Sequence, residues 1–372
     1  METIRVKPGE IGVGCVLPWS AYDQHGRLLL PKGAIVASES QLRGLLSRGL
    51  YRAERGQPSA SPALPHKKAD PFQRLGDLCR SLQQQFRDIG AGVRGTGPAG
   101  VLSLGEEIQH LCAEDADAVL GAVHLCHEHP YVVIHPIHVA LLCELVATRL
   151  GYSAEDRRTI LAAALTANVA MLELQALLST QKVPLDGSQR RQIRDHPALG
   201  VAMLQMAGID DAHWLRIVAQ HHEKIDGSGY PQGLRGQELA EEARIVNLAD
   251  TYSAMVSPRA IRGPKPARDA LREIFLLRGK EIDEQLALIF IKEIGVFPPG
   301  AMVRLRNGET AIVVRRGRES TAPIAYSVLG PQGEWYARPG RRDCSLDRYT
   351  IEEMQLTDNL LPIDVHALWG YD

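Results

Sequence analysis

From Phe72 to about Ile294 the apolar residues of this 372-residue chain recur at helical spacing almost without a break, and on either side the period falls to two. That switch restricts the fold more than any other feature. A strand pattern cannot be satisfied on a helix, nor a helical one on a pleated strand. The expected architecture is therefore mainly α, a helical bundle flanked by a small N-terminal β module and a small C-terminal β module. Helices of roughly 12–18 residues are punctuated at residues 90–100, Pro130, Gly151, 184–189 and Gly208, and again after Tyr230. HVALLCELVATRLG (138–151) reads as an amphipathic helix and DRRTILAAALTANVAML (156–172) as one continuous buried helix.

The flanks carry turn chemistry. Residues 1–52 form a β-rich module in which IRVKPGEIGVGCVL and HGRLLLPKGAIVA alternate between glycine-rich turns, followed by a short helix with Ser38 as N-cap and Leu42, Leu45 and Leu46 on one face. Residues 53–71 are rich in Pro, Ser and Ala and read as a linker. Residues 72–296 form the helical domain, and 297–372 a C-terminal β extension opened by a hairpin at Asn307-Gly308. There is no internal repeat. With 42 basic and 44 acidic residues the net charge is −2, which nominates neither nucleic acid nor membrane. Six scattered cysteines without paired short spacings read as reduced thiols. The N-terminus lacks an apolar signal core, and the longest apolar run, 160–172, is interrupted and short for a bilayer. A cytoplasmic protein is expected.

Chemistry concentrates in QHHEKIDGSGYP (220–231), where two adjacent imidazoles and two carboxylates precede a glycine-rich turn. Neutral imidazole is the commonest metal ligand, and carboxylates join or orient it. His135 and His138 stand at i, i+3 near a helix start, His196 opens DHPALGVAML, and Asp250 ends ARIVNLAD. Metal-competent residues on successive helices point to one pocket built from His135, His196, His221, His222 and Asp250. His138 reads as a helix-surface residue.

The order of His135, HPALG (196–200), HHEKIDGSGYP (221–231), ARIVNLAD (243–250) and the pair Arg259 and Arg262 resembles the HD-GYP family of helical metal-dependent phosphodiesterases that hydrolyse cyclic di-GMP. The likeness covers roughly residues 110–295, and the flanking β modules also resemble those attached to some members. It implies a helical HD-type phosphohydrolase bundle, with Tyr230, Arg259 and Arg262 as ligand-binding residues. It also implies a recognition loop of Asp226, Gly227, Gly229, Tyr230 and Pro231 that meets a signalling partner such as a diguanylate cyclase domain.

The chain departs from the family where the His-Asp pair and its following lysine are expected. In LTANVAML, Ala167 stands for the His, Asn168 for the Asp and Met171 for the Lys. Alanine offers no ligand atom, and a neutral amide lacks the charge that keeps two cations close. Ser253 replaces a second acid, and Tyr131 occupies a position where some members supply another acidic ligand. No residue is therefore assigned a catalytic role. The expected cofactor is one divalent metal (Fe, Mn or Zn-like) or none, and a dinuclear centre is not expected. Two readings follow: an impaired member acting as a cyclic di-GMP-binding or scaffold module, or an active phosphodiesterase whose rearranged site recruits His138. A third rests on the arginines of the C-terminal extension (304, 306, 315, 316, 318, 338, 341 and 342) as a dinucleotide or nucleic-acid surface, although exposed strand arginines are usually a solvated face. No clear nucleic-acid site and no membrane partner are expected. A homodimer is compatible with the chain, but no residue selects it.

Overall fold

Many of the apolar runs become helices with their own capping residues at the start. The computed structural model describes residues 3–6, 11–17, 19–24, 28–31, 33–36, 38–52, 70–93, 97–258, 263–356 and 364–371. Contacts divide the chain into two units, Met1–Lys68 and Ala69–Asp372.

The first unit contains β1 (Thr3–Arg5), β2 (Ala21–Tyr22), β3 (Leu28–Leu30), α1 (Glu39–Arg48) and β4 (Leu50–Arg52), with an antiparallel sheet in the order β1-β4-β2-β3. The Ser38 hydroxyl accepts the Gln41 amide and starts α1. Leu45 then packs with Val6, Ile11, Leu17, Ala21 and Val36, while Leu42 and Leu46 lie partly buried beside them. Residues 53–69 of the expected linker lie outside the described residues. Its last two, Asp70 and Pro71, cap and open the next helix: the Asp70 carboxylate accepts the Phe72 amide, and proline suits a first position that needs no donor.

The second unit runs α2 (Pro71–Gly90), α3 (Gly97–Leu125), α4 (Tyr131–Leu150), α5 (Ala154–Thr166), α6 (Leu172–Thr180), α7 (Gly187–Met206), α8 (Ala212–Gln220), α9 (Glu241–Val256), α10 (Ala267–Leu277) and α11 (Glu284–Ile294). The strands β5 (Met302–Leu305), β6 (Thr310–Arg315), β7 (Ile324–Leu329), β8 (Trp335–Asp343) and β9 (Ile351–Gln355) follow, and then α12 (Val365–Trp369).

Two helix expectations need correction. The helix containing 138–151 is not amphipathic but the axis of the bundle: every residue from Val133 to Ala147 is buried, because α2, α3, α5, α9 and α11 pack around it. It is long and apolar enough to cross a bilayer, yet 83% of its most apolar window is buried inside the fold. The segment 156–172 is not one helix either. α5 ends at Thr166, whose hydroxyl bonds back to the Ala162 carbonyl, and Asn168 (φ −100°, ψ 11°) leads into a single 3₁₀ turn before α6. Such back-bonding bends helices, and here it lets 167–171 pack against α7.

The C-terminal sheet is antiparallel in the order β8-β7-β6-β5-β9. Alternate β6 residues serve two cores. Ile312 and Val314 join the helical core, and Ala311 and Val313 join a second cluster with Val303, Leu305 and Ala325. Each fully buried Ile or Val contributes roughly 1.5–3 kcal/mol. The Asn307-Gly308 hairpin forms through a three-residue turn, with Gly308 (φ 85°) alone in the left-handed region.

Candidate metal centre

Asp186 caps α7 with a reciprocal Gln189 contact, fixing the helix that carries His196. Asp211 caps α8, which delivers His221 at its C-terminal end and His222 just beyond. His196, His221 and His222 each offer a ring nitrogen, and these atoms lie within 4.8 Å of one another. His196 and His221 are fully buried. Their Nδ1–H groups donate to the backbone carbonyls of Ile193 (2.6 Å) and Val218 (2.7 Å). Both Nε2 atoms are therefore left as lone pairs, and they face each other at 3.1 Å.

Burial, reinforced by neighbouring imidazoles, pushes the pKa of His196 and His221 down to about 4 and that of His222 to about 3. All three are neutral near pH 7. Two neutral lone pairs aimed at each other repel unless a cation sits between them. Nitrogens sharing one tetrahedral zinc-sized ion at about 2.0–2.1 Å lie roughly 3.3 Å apart. The donor set fits one metal ion.

The other two expected ligands do not join this trio. His135 Nε2–H donates to Asp250 Oδ1 at 2.8 Å, and its Nδ1 accepts from the Ser253 hydroxyl at 3.1 Å. Tyr131 stacks on the His135 ring, 4.7 Å away and 13° from parallel. Burial raises the Asp250 pKa, but the His135 hydrogen bond and the surrounding imidazoles outweigh it, and the carboxylate ends well below its usual range. It faces the trio as a fixed negative charge that also favours a cation there.

The segment 167–171 lies against α7 near His196. Gly200, one turn beyond His196, packs beneath the Ala167 carbonyl and the Val169 side chain. Among the described residues this segment adds no imidazole or carboxylate to the trio. His138 is a correction: it lies fully buried rather than on a helix surface, edge-on to His127 at 5.5 Å.

The loop from Asp226 to Pro231 is built onto the centre. Tyr230 lies 4.8 Å from His222 and 6.4 Å from His196, ring to ring, and its amide donates to the His222 carbonyl. A side chain on Gly229 would strike the backbone of 222–224 at 2.4–2.6 Å. Asp226 accepts the Ser228 amide and hydroxyl, shaping the turn through Gly227 towards Pro231. Glu223 has a role the sequence did not disclose. Buried, it accepts the backbone amides of Gln232, Gly233 and Leu234 and so holds the loop from below. Asn247 was also missed, and its amide donates to the His221 carbonyl at 2.8 Å. Its position three residues before Asp250, on the same helix face, was the available signal. Arg259 and Arg262 lie outside the described residues.

Four of the eight arginines singled out in the C-terminal extension are engaged in ion pairs. Arg315 pairs with Asp115, Arg316 with Asp117 and Glu293, Arg306 with Asp347, and Arg342 clamps the buried Glu309.

Residues 116–286 match the HD domain family. The chain is 28% identical over 244 residues to a cyclic di-GMP phosphodiesterase of Pseudomonas aeruginosa, covering 65% of this chain and 58% of that protein. It is 31% identical over 142 residues to a 3'3'-cGAMP-specific phosphodiesterase of Vibrio cholerae, covering 38% and 31%. A cyclic di-GMP phosphodiesterase of Thermotoga maritima is 45% identical over 76 residues, covering 20% and 21%. The chain thus spans less than two thirds of the length of each relative. An HDG"Y"P protein from Bdellovibrio bacteriovorus shares the fold with a TM-score of 0.50 at 16% identity, over 78% of this chain and 99% of that one.

Proposed function

We propose, from the match of residues 116–286 to the HD domain family and the likeness to cyclic-dinucleotide phosphodiesterases, that the chain works in bacterial cyclic-dinucleotide signalling. It binds cyclic di-GMP beside a single divalent metal held by His196, His221 and His222, and its capacity for hydrolysis is impaired. The observation that carries this reading is the pair of Nε2 lone pairs converging at 3.1 Å in a site to which residues 167–171 contribute no further ligand.

A metal bound there would act as a Lewis acid for a phosphate oxygen. The chain's own residues position and exclude. Asp250 is engaged by His135 and supplies negative charge rather than a bridging ligand. Tyr230 closes the side next to His222, and Glu223 holds the backbone just beyond it at 232–234. Arg259 and Arg262 are proposed to meet the phosphates through bidentate contacts. The loop from Asp226 to Pro231 is proposed as a protein-recognition surface. An active enzyme with a rearranged site would need His138 at the trio, and its burial against His127 argues against that. A cytoplasmic location accompanies this reading.

The test combines metal counting, binding and turnover. One ion should be lost from the His221→Ala variant. Cyclic di-GMP should bind with manganese present and yield no linear dinucleotide; 3'3'-cGAMP serves as the competing ligand because one relative's name specifies it. Turnover that disappears in His221→Ala would overturn the impaired reading. Absence of binding to either dinucleotide would overturn the ligand assignment.

A further inference from the structure

Five of the chain's 13 histidines fall within the 15 residues of HLCHEHPYVVIHPIH, from His124 to His138. Their fates differ. His135 is committed to Asp250 and Ser253. His124 is saturated, its Nδ1–H donating to the Leu120 carbonyl at 2.7 Å and its Nε2 accepting from the Tyr252 hydroxyl at 2.8 Å. His129 lies half-buried, 4.0 Å from Glu128. His127, one ring nitrogen of which hydrogen-bonds to the His124 backbone, and His138 remain, with ring centres 5.5 Å apart at 81°.

His138 is the anomaly. It is 0% exposed, and neither ring nitrogen has a hydrogen-bond partner. Burial, added to by the imidazoles of His127 and His135, keeps it neutral. A neutral ring carries one N–H and one lone pair, and each costs about 1–3 kcal/mol when buried without a partner. Such groups in native proteins ordinarily mark a water or an ion.

We propose that His127 and His138 form a second metal site, distinct from the three-histidine centre, for an imidazole-preferring ion of the zinc, nickel or copper class. Two imidazoles sharing one ion at about 2.0–2.1 Å from each nitrogen hold their ring centres about 5–6 Å apart, and the observed separation falls within that range. His127 forms the entrance, because it lines a cleft of about 40 Å³ with His124, Lys265, Gly300, Met302 and Met354. That volume admits roughly three waters on the His127 side of the ring pair. Aspartate and glutamate are absent from the described lining, which disfavours magnesium and calcium.

The experiment is an equilibrium titration of the metal-free full chain with zinc, counting bound equivalents. His127→Ala, at a half-buried position, should lose one equivalent and keep the rest, while His222→Ala should retain the equivalent that His127→Ala loses. Nitrogen-15 spectra read the buried ring directly: a His138 ring nitrogen should shift on zinc addition in wild type and not in His127→Ala. Unchanged stoichiometry together with an unshifted His138 resonance in wild type would overturn the site and leave a buried water as the ring's partner. If His222→Ala binds as wild type does, the trio assignment fails while this one stands.

Discussion

Single side chains here act mostly on backbone. Glu223 is the clearest case, since one carboxylate satisfies three successive loop amides. Glu223→Ala should destabilise the chain by about 3 kcal/mol, since it strands buried donors. It should also abolish hydrogen-exchange protection at 232–234 while leaving the remote C-terminal sheet protected. Tyr230 is expected to slow metal exchange by covering two of the three ligands. Tyr230→Ala should speed chelator-driven metal release by roughly tenfold, equivalent to about 1.4 kcal/mol of lost aromatic contact. Tyr230→Phe, which keeps the ring, should release at the wild-type rate. Equal effects of both variants would assign the role to the hydroxyl instead. Neither residue's partner is visible in sequence, because the contacts join groups that only the folded loop brings together.

At the scale of elements, hydrophobic period located the helices and the C-terminal hairpin because each buries a repeating face. It misjudged 156–172, where Thr166 and Asn168 break a run whose composition is helical throughout. It also missed α12, five residues long and too short for a periodic signal. That helix is held by particular contacts. Trp369 packs 5.0 Å from Phe72 and lies over Gly121, and the Tyr371 hydroxyl donates to Asp115 at the kink in α3. A β-carbon on Gly121 would fall 2.5 Å from the Trp369 ring. Gly121→Ala should therefore displace α12, cost about 1–3 kcal/mol and red-shift the tryptophan emission. An unshifted spectrum with unchanged stability would show that α12 is not seated on α3.

At the scale of the whole molecule, the three neutral histidines make stability depend on pH. Their pKa values lie at about 3 to 4 in the fold against 6.5 for the free side chain, so between pH 6.5 and 4 the unfolded chain binds more protons than the native one. Metal-free protein should therefore lose stability progressively as pH falls through that window. Lowered carboxylates act later. Glu309, held at about 2 by its Arg342 hydrogen bonds, adds its loss only below about 4.5. Urea midpoints measured at pH 7 and pH 5.5 check the sign, and a higher midpoint at pH 5.5 would refute it. Metal at 100 times its dissociation constant should add about 2.7 kcal/mol, and replacing His196 should remove that gain. The sequence by itself determined the helical class, the β flanks, the family likeness and the absence of an imidazole or carboxylate at Ala167 and Asn168, because period and ligand chemistry are properties of residues in order. Only the tertiary structure decided that His135 and Asp250 bond to each other, that Glu223 holds a loop, and that His138 is buried without a partner. Those facts depend on distances that packing sets and local pattern does not encode.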